Sequence, residues 1–155
     1  MDTMALKLVL VLVFCAGISV ILGDPVPVFK DCGSKVAKIN SINITPCETE
    51  PCPLVKGHNV SVVLEFTTNK QITKASAVVH AILSGVRVPY PLQNPDGCKD
   101  SGLKCPIAGG GTYNYTSSLL VSKTYPSIKL VVEWELKDQD GDVIWCFQVP
   151  AQVGG

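Results

Sequence analysis

Histidine is scarce in this chain, and the residue patterns of common hydrolytic active sites are missing. His58 and His80 are the only histidines, and neither G-x-S-x-G nor H-E-x-x-H occurs. His80 lies in the apolar run 78–82 and is interpreted as a structural or surface residue. No glycine-rich loop opens a helix, so the usual signal of phosphate binding is missing too. The sequence predicts a protein that is not an enzyme and that has no cofactor and no metal site.

An excess of charge of one sign is also absent. Lysine plus arginine and aspartate plus glutamate both number 13, and charged residues make up 17% of the chain. No basic stripe is present that would bind a polyanion or an anionic lipid surface. The charge pattern therefore argues against a nucleic-acid partner.

Long apolar runs are missing except for one near the first residue. The run 8–22 follows Lys7 and is shorter than the roughly 20 residues that a comfortable membrane span needs. Small residues and then Asp24 and Pro25 follow it. This pattern is typical of a secretory signal peptide, so we predict a signal at 1–23, cleavage after Gly23 and one domain at 24–155. An uncleaved membrane anchor is the alternative.

Cysteine, in contrast, is plentiful. Of seven cysteines, Cys15 falls in the predicted signal, and the other six are Cys32, Cys47, Cys52, Cys98, Cys105 and Cys146. An even number in a secreted chain indicates three disulfides, although six cysteines allow many pairings. Proximity favours one bond across each close pair, 47 with 52 and 98 with 105, and the remaining two would tie the ends of the domain together. A zinc site is the weaker alternative, because neither close pair is C-x-x-C and the histidines show no ligand spacing.

Three glycosylation sequons fit the same compartment. They begin at Asn43, Asn59 and Asn114. Each predicts a glycan on a surface position of a secreted protein.

Short runs of alternating apolar and polar residues fill the predicted domain. In the run 59–66, the four even positions are apolar, whereas Asn59, Ser61 and Glu65 are polar. In the run 128–136, the even positions form an apolar face, and Lys129, Glu133 and Glu135 are predicted to point to water. Further candidate strands are 26–30, 36–44, 77–83, 86–92, 113–121 and 143–149. This period of two predicts β-strands throughout and no amphipathic helix.

Turn sequences separate these runs. The segments 94–97 (NPDG) and 138–141 (DQDG) both predict turns. The second has spaced acidic residues but lacks the length and final glutamate of an EF-hand, so we interpret it as a hairpin turn. Pro89 and Pro91 cannot donate to a strand ladder, which makes their segment an edge strand.

Seven or eight short strands in one disulfide-bonded domain predict an immunoglobulin-like β-sandwich. The pattern does not give the strand order. It also does not show whether the interior is filled or hollow, since a filled and a hollow sandwich would use the same apolar residues. The residues alone thus indicate a secreted β-sandwich that binds something.

Several segments resemble the ML lipid-recognition domain family. They are 29–34 (FKDCGS), 46–52 (PCETEPC), 77–80 (AVVH), 95–99 (PDGCK), 104–107 (KCPI) and 125–134 (YPSIKLVVEW). The resemblance extends over essentially all of the predicted domain and includes all six of its cysteines.

The resemblance implies a sandwich of about seven strands whose two sheets part to admit one cholesterol or related sterol. It also implies the disulfides Cys32–Cys146, Cys47–Cys52 and Cys98–Cys105. A monomer is expected in secretions and in the lumen of late endosomes and lysosomes, sorted through glycans by the mannose-6-phosphate receptor. The sterol would pass to the membrane-bound Niemann-Pick type C transporter or, through transient contact, directly to lysosomal membranes.

The resemblance assigns residues to two surfaces. The sterol-binding positions are Val88, Tyr90, Val121, Tyr125, Pro126, Ile128, Leu130, Trp134 and Phe147. The surface that meets the transporter or the membrane comprises His80, Ala81, Ile82, Ser84, Gly85, Val86, Asp96 and Lys99.

The departures from the family's pattern include three residues on or beside the two surfaces. Tyr90 stands where relatives often have phenylalanine, which adds a hydroxyl near the pocket mouth. Arg87 replaces a proline, and Ser84 replaces a methionine that is common in relatives.

Three classes of function compete at this stage. Sterol carriage is favoured over a carrier or co-receptor for another lipid class. A purely adhesive sandwich comes last, and it predicts that purified protein contains no lipid.

The disulfide pattern can be checked directly. Peptide mapping of the secreted protein under non-reducing conditions is expected to recover the pairs Cys32–Cys146, Cys47–Cys52 and Cys98–Cys105. A free thiol in the folded protein would contradict this assignment.

Overall fold

The computed structural model describes residues 29–155, which form an all-β sandwich. The signal peptide predicted at 1–23 lies outside the described residues. Within 29–155, no helix is long and apolar enough to cross a membrane.

The described residues contain nine strands. They are β1 (Lys30–Asp31), β2 (Ala37–Thr45), β3 (Cys52–Val55), β4 (Asn59–Thr68), β5 (Ala75–Leu83), β6 (Val86–Tyr90), β7 (Thr112–Leu120), β8 (Lys129–Asp138) and β9 (Val143–Gly154).

The strands form two sheets that pack face to face. The larger, six-stranded sheet has the order β1-β9-β8-β5-β6, with β3 also pairing to β9. The smaller sheet has the order β2-β4-β7. All pairs are antiparallel except β3 with β9. The immunoglobulin-like sandwich predicted from the sequence is therefore confirmed.

Strand β3 was not predicted, and it accounts for part of the difference between about seven strands and nine. It has four residues and begins directly after Pro51, so its sequence reads as part of the loop around a disulfide. Its partner is the far end of β9, where Cys52 pairs with Ala151 and Val55 with Gly154. Because of this pairing, β9 extends to Gly154, beyond residue 149, where the predicted strand ends.

The inner faces of the sheets follow the predicted alternation. In β4, the apolar residues Val60, Val62, Leu64 and Phe66 are all buried. Each strand places alternate side chains on one face, so these four meet the other sheet while their polar neighbours stay outside. The edge position predicted for the strand with Pro89 is also confirmed, since β6 pairs only with β5.

Three disulfides hold the sandwich, in the pairs that the resemblance implies. They are Cys32–Cys146, Cys47–Cys52 and Cys98–Cys105. The first closes a separation of 114 residues and joins the segment after β1 to Cys146 near the start of β9.

An ion-pair network closes the β8–β9 hairpin at the predicted turn. Lys70 Nζ lies 2.8 Å from Asp138 Oδ2, 2.7 Å from Asp140 Oδ2 and 3.5 Å from Asp142 Oδ2. The other carboxylate oxygen of Asp138 accepts hydrogen bonds from the backbone N–H groups of Asp140 and Asp142. These acidic side chains are close enough to share an ion. The ammonium of Lys70 already lies among them, which explains the acidic spacing of the turn.

The network lowers the pKa of Asp138. Burial alone would raise the pKa of this carboxyl, but the hydrogen bonds from Lys70 and from the two backbone N–H groups outweigh it, so the pKa falls below the usual 3.8. Hydrogen bonds from Lys70 to Asp138 and Asp140 correspondingly raise the pKa of the lysine.

Asp138→Asn tests the pH range in which this network stabilises the fold. A carboxyl whose pKa is lower in the folded than in the unfolded state contributes stability above its unfolded pKa, and loses that contribution as the pH falls through the folded value. Asp138→Asn is therefore expected to lower the free energy of unfolding equally at pH 7 and pH 5, and the difference from wild type should shrink below pH 3.8. Urea unfolding at a series of pH values measures this.

The control is Asp140→Asn. Its carboxylate is more exposed, so the expected effect on the free energy of unfolding is smaller. A difference that grows on acidification would contradict the assignment.

Candidate functional site

An apolar cavity of about 250 Å³ lies between the two sheets. Its lining residues all carry apolar side chains, and the hydroxyls of two tyrosines are the polar exceptions. The residues are Leu54, Val79, Ala81, Leu83, Val88, Pro89, Tyr90, Pro91, Leu119, Val121, Tyr125, Pro126, Ile128, Leu130, Val132 and Val153.

Strand alternation positions most of this lining. On β5, Val79, Ala81 and Leu83 are two residues apart and therefore share the inner face of the larger sheet. Val88 and Tyr90 on β6 and Leu130 and Val132 on β8 follow the same spacing. The larger sheet thus supplies one continuous apolar wall, and the segment around Leu119 and Val121 at the end of β7 supplies part of the facing wall.

Seven of the nine predicted sterol-binding residues line this cavity. They are Val88, Tyr90, Val121, Tyr125, Pro126, Ile128 and Leu130. The other two, Trp134 and Phe147, instead line a smaller void of about 20 Å³ among core residues. Their rings stack at 6.3 Å between centroids. The two cavities share Leu54, Leu119 and Val132, so the aromatic pair lies beneath the larger cavity rather than along its wall.

Sequence reasoning missed the contribution of β3 and of the end of β9. Leu54 and Val153 both line the cavity and are paired in register, Leu54 opposite Val153. Neither stretch was predicted as a strand. The inward residues of β5 could have been found, because they alternate within a run that was predicted as a strand.

Large exposed apolar residues surround the mouth of the cavity. Val88 and Tyr125 belong to the lining and are nevertheless 41% and 37% exposed. Leu120, between two lining residues, is 42% exposed, and Val86 at the tip of the β5–β6 hairpin is 63% exposed. An exposed apolar rim of this kind is typical of a surface that meets a membrane or an apolar partner.

The predicted partner surface falls into two separate places. Residues from His80 to Val86 lie on the β5–β6 hairpin, whose turn has positive φ angles of 48° at Ser84 and 81° at Gly85. Asp96 instead pairs with Ser76 near the opposite end of β5, and Lys99 is close to Asp96. At about 3.3 Å per residue, the eight residues from Ser76 to Ser84 put roughly 25 Å between these places.

Within the hairpin, neighbouring residues also face different ways. Ala81 lines the cavity. The side chain of His80 lies on the outer face, where its Nδ1 is 3.8 Å from Glu133 Oε1.

The three sequons share one sheet. Asn43, Asn59 and Asn114 are exposed and lie on β2, β4 and β7. Glycosylation of these residues stays a prediction, and each asparagine is placed where a glycan would meet solvent.

The prediction that Glu133 points to water was wrong. Its side chain is fully buried on the outer face of β8. Glu133 Oε2 accepts hydrogen bonds from Arg87 at 2.9 Å and from Gln148 at 2.7 Å. Side chains on both sides of β8 therefore cover the carboxylate, and a cation from the edge strand β6 compensates its charge.

Tyr90 connects the two sheets at the cavity mouth. Its hydroxyl donates to the backbone carbonyl of Leu120 at 2.8 Å. Burial, with a further contribution from nearby Tyr125, raises the pKa of Tyr90. The hydroxyl therefore stays protonated and remains a donor at and below neutral pH.

Comparison with known protein families gives one extensive match. The model of the ML domain matches residues 27–153. That range includes every residue of the cavity.

Individual proteins match over most of the chain. It is 50% identical over 125 residues to "NPC intracellular cholesterol transporter 2" of Mus musculus, covering 81% of this chain and 83% of that protein. It is 42% identical over 127 residues to "NPC intracellular cholesterol transporter 2 homolog a" of Drosophila melanogaster, covering 81% and 86%. Among solved structures, a Niemann-Pick type C2 protein from the Japanese carpenter ant matches with a TM-score of 0.78 and 33% identity, covering 82% of this chain and 99% of that one.

Arg87→Ala tests the compensation of the buried carboxylate. Loss of the guanidinium leaves Glu133 buried with one hydrogen-bond donor, so the free energy of unfolding is expected to fall by about 1–3 kcal/mol. Adding Glu133→Gln removes the uncompensated charge and is expected to restore part of the loss. Guanidinium or thermal unfolding measures both variants.

The control for this pair is Lys129→Ala, which removes an exposed cation from the same strand as Glu133. It is expected to change stability by less than about 0.5 kcal/mol. If the double variant were less stable than Arg87→Ala alone, the pairing would not be the source of the effect.

Proposed function

The chain belongs to the ML-domain family, and from this premise we propose that it carries one cholesterol or related sterol in the cavity between its sheets. It would deliver the sterol to the membrane-bound Niemann-Pick type C transporter or directly to membranes, in the lumen of late endosomes and lysosomes. The observation that carries the proposal is the apolar cavity itself, which opens at an apolar rim.

The chemistry of a sterol fits this cavity. A sterol is almost wholly apolar and has a single hydroxyl, and removal of its surface from water is favourable by about 25 cal/mol per Å². A hydroxyl left at the mouth avoids the cost of burial without a hydrogen-bond partner. Two tyrosines, Tyr90 and Tyr125, are among the lining residues. No bond is made or broken, so the chain acts as a lipid-binding carrier and not as an enzyme.

Ligand uptake requires the sheets to move apart. The cavity of about 250 Å³ is smaller than the roughly 300–1,000 Å³ that is usual for small-molecule sites. Strands β6 and β7 belong to different sheets and are not paired with each other, so widening does not break a strand ladder.

The rim supports transfer by direct contact. Val86 at the hairpin tip and Tyr125 beside the mouth present apolar surface on the side from which a sterol would leave. Contact with a membrane or with an apolar opening of a transporter would cover this surface and provide a path that excludes water.

The proposed compartment is acidic. The pKa of Asp138 is lowered, which keeps the β8–β9 network ionised at mildly acidic pH. Three exposed sequons on the smaller sheet would carry the glycans that the mannose-6-phosphate receptor recognises. We propose that the protein acts there as a monomer.

Val121→Phe separates a ligand cavity from an ordinary core position. Val121 is 2% exposed and lines the cavity. In a filled core the larger ring would overpack, at a typical cost of about 1–3 kcal/mol. In an open cavity it occupies the space of the sterol instead. The variant is expected to be secreted and to melt near wild type, yet to lose binding in a fluorescent-sterol titration.

Val63→Phe is the matched control, since Val63 is 43% exposed on the outer face of β4. It is expected to bind sterol like wild type. A strongly destabilised Val121→Phe protein, or one that binds sterol normally, would remove Val121 from the site. Wild-type protein that contains phospholipid by mass spectrometry and binds no sterol would favour a carrier for another lipid class.

A further inference from the structure

The cavity opens between two edge strands. Strand β6 is the edge of the larger sheet, and β7 is an edge of the smaller sheet. Among the side-chain hydrogen bonds of residues 29–155, the bond from Tyr90 Oη to the carbonyl of Leu120 is the one that joins β6 to β7. The residues on either side of Leu120, Leu119 and Val121, line the cavity, so this bond crosses its mouth.

Backbone pairing holds β6 only weakly. The strand has five residues and pairs with β5 alone, and Pro89 contributes no N–H to the ladder. Side chains on opposite faces hold it in addition. Arg87 pairs with buried Glu133 on the outer face, and Tyr90 bonds to Leu120 on the cavity side.

The bond at the mouth is incompatible with a widened cavity. A sterol needs more space than about 250 Å³, so β6 and β7 have to separate when it enters. The acceptor is a backbone carbonyl, which cannot turn away as a side chain could. Separation of the strands therefore breaks the hydrogen bond from Tyr90 to Leu120.

We propose that the hydroxyl of Tyr90 is a clasp that holds the empty cavity closed and limits the rate of sterol uptake. The inference rests on the proposed function and deepens it, because it assigns the control of uptake to one atom. Tyr90 then has two separable roles: its ring lines the cavity, and its hydroxyl stabilises the closed, empty state. Phenylalanine keeps the first role and loses the second.

Tyr90→Phe distinguishes these roles by rates. The clasp stabilises only the closed state, so its loss is expected to raise the association rate constant for a fluorescent sterol about fivefold, the factor that corresponds to a hydrogen bond of about 1 kcal/mol. The dissociation rate constant should change by less than about twofold, because the loaded state lacks the bond. Stopped-flow fluorescence with dehydroergosterol measures both constants.

A ligand-free measurement tests the clasp independently of the proposed function. Amide hydrogen exchange of β6 in the empty protein is expected to be about fivefold faster in Tyr90→Phe, because the strand opens more often. The control is Tyr113→Phe. Tyr113 also has a hydrogen-bonded hydroxyl, with Ala108, but it lies in neither cavity and its bond does not cross the mouth. This control should leave both sterol rates and β6 exchange at wild-type values.

Two results would overturn the clasp. One is unchanged association and unchanged β6 exchange in Tyr90→Phe. The other is faster dissociation with unchanged association, which would make the hydroxyl a contact of the bound sterol. Wild-type protein that binds no sterol would reject the proposed function instead, and the exchange experiment would still decide whether the clasp exists.

Discussion

Side-chain packing between the two sheets is the constraint on which the rest of this structure depends. At one end of the sandwich, large aromatic residues fill most of the space and leave a void of about 20 Å³. The ring of Trp145 lies 5.2 Å from that of Tyr115 and 6.5 Å from that of Phe66, and Trp134 stacks on Phe147. At the other end, valine, leucine and proline take their place and leave a cavity. The aromatic cluster fixes the separation of the sheets, and the smaller residues beyond it cannot fill the gap that this separation creates.

The edge strand β6 has one face toward the cavity and the other toward the outside of the larger sheet. Its inward residues, Val88 and Tyr90, form one side of the mouth, while Arg87 on the opposite face compensates the buried Glu133. The resemblance to the family marks Arg87 and Tyr90 as the two positions of this strand that depart from its pattern. Both departures add a hydrogen bond from β6 to another strand, so this chain holds its edge strand more firmly than a proline and a phenylalanine would.

The main ion pairs of this structure lie in two separate places. The cluster of Lys70 with Asp138, Asp140 and Asp142 lies at the β8–β9 turn, and Arg87 with Glu133 lies on the outer face of the larger sheet. The cavity wall carries no charged side chain among its lining residues. The polar interactions that hold the strands in place are therefore separate from the apolar surface that would hold the ligand.

The sequence by itself determined the strands, because each long strand has one buried face and a period of two is a local property. The spacing of its cysteines and the family resemblance also indicated which pairs form disulfides, and the resemblance implied nine sterol-binding positions, of which seven line the cavity. Only the tertiary structure decided the rest. The four-residue β3 is stable as a strand through its pairing with β9, about 100 residues away, and no local pattern reports that. Glu133 occupies an outward position, and its burial follows from Gln148 on the neighbouring strand β9 and Arg87 on β6, two strands away. Whether the sandwich is hollow depends on the distance between the sheets. The aromatic residues at one end set this distance, and the aliphatic residues at the other end cannot fill the gap that results.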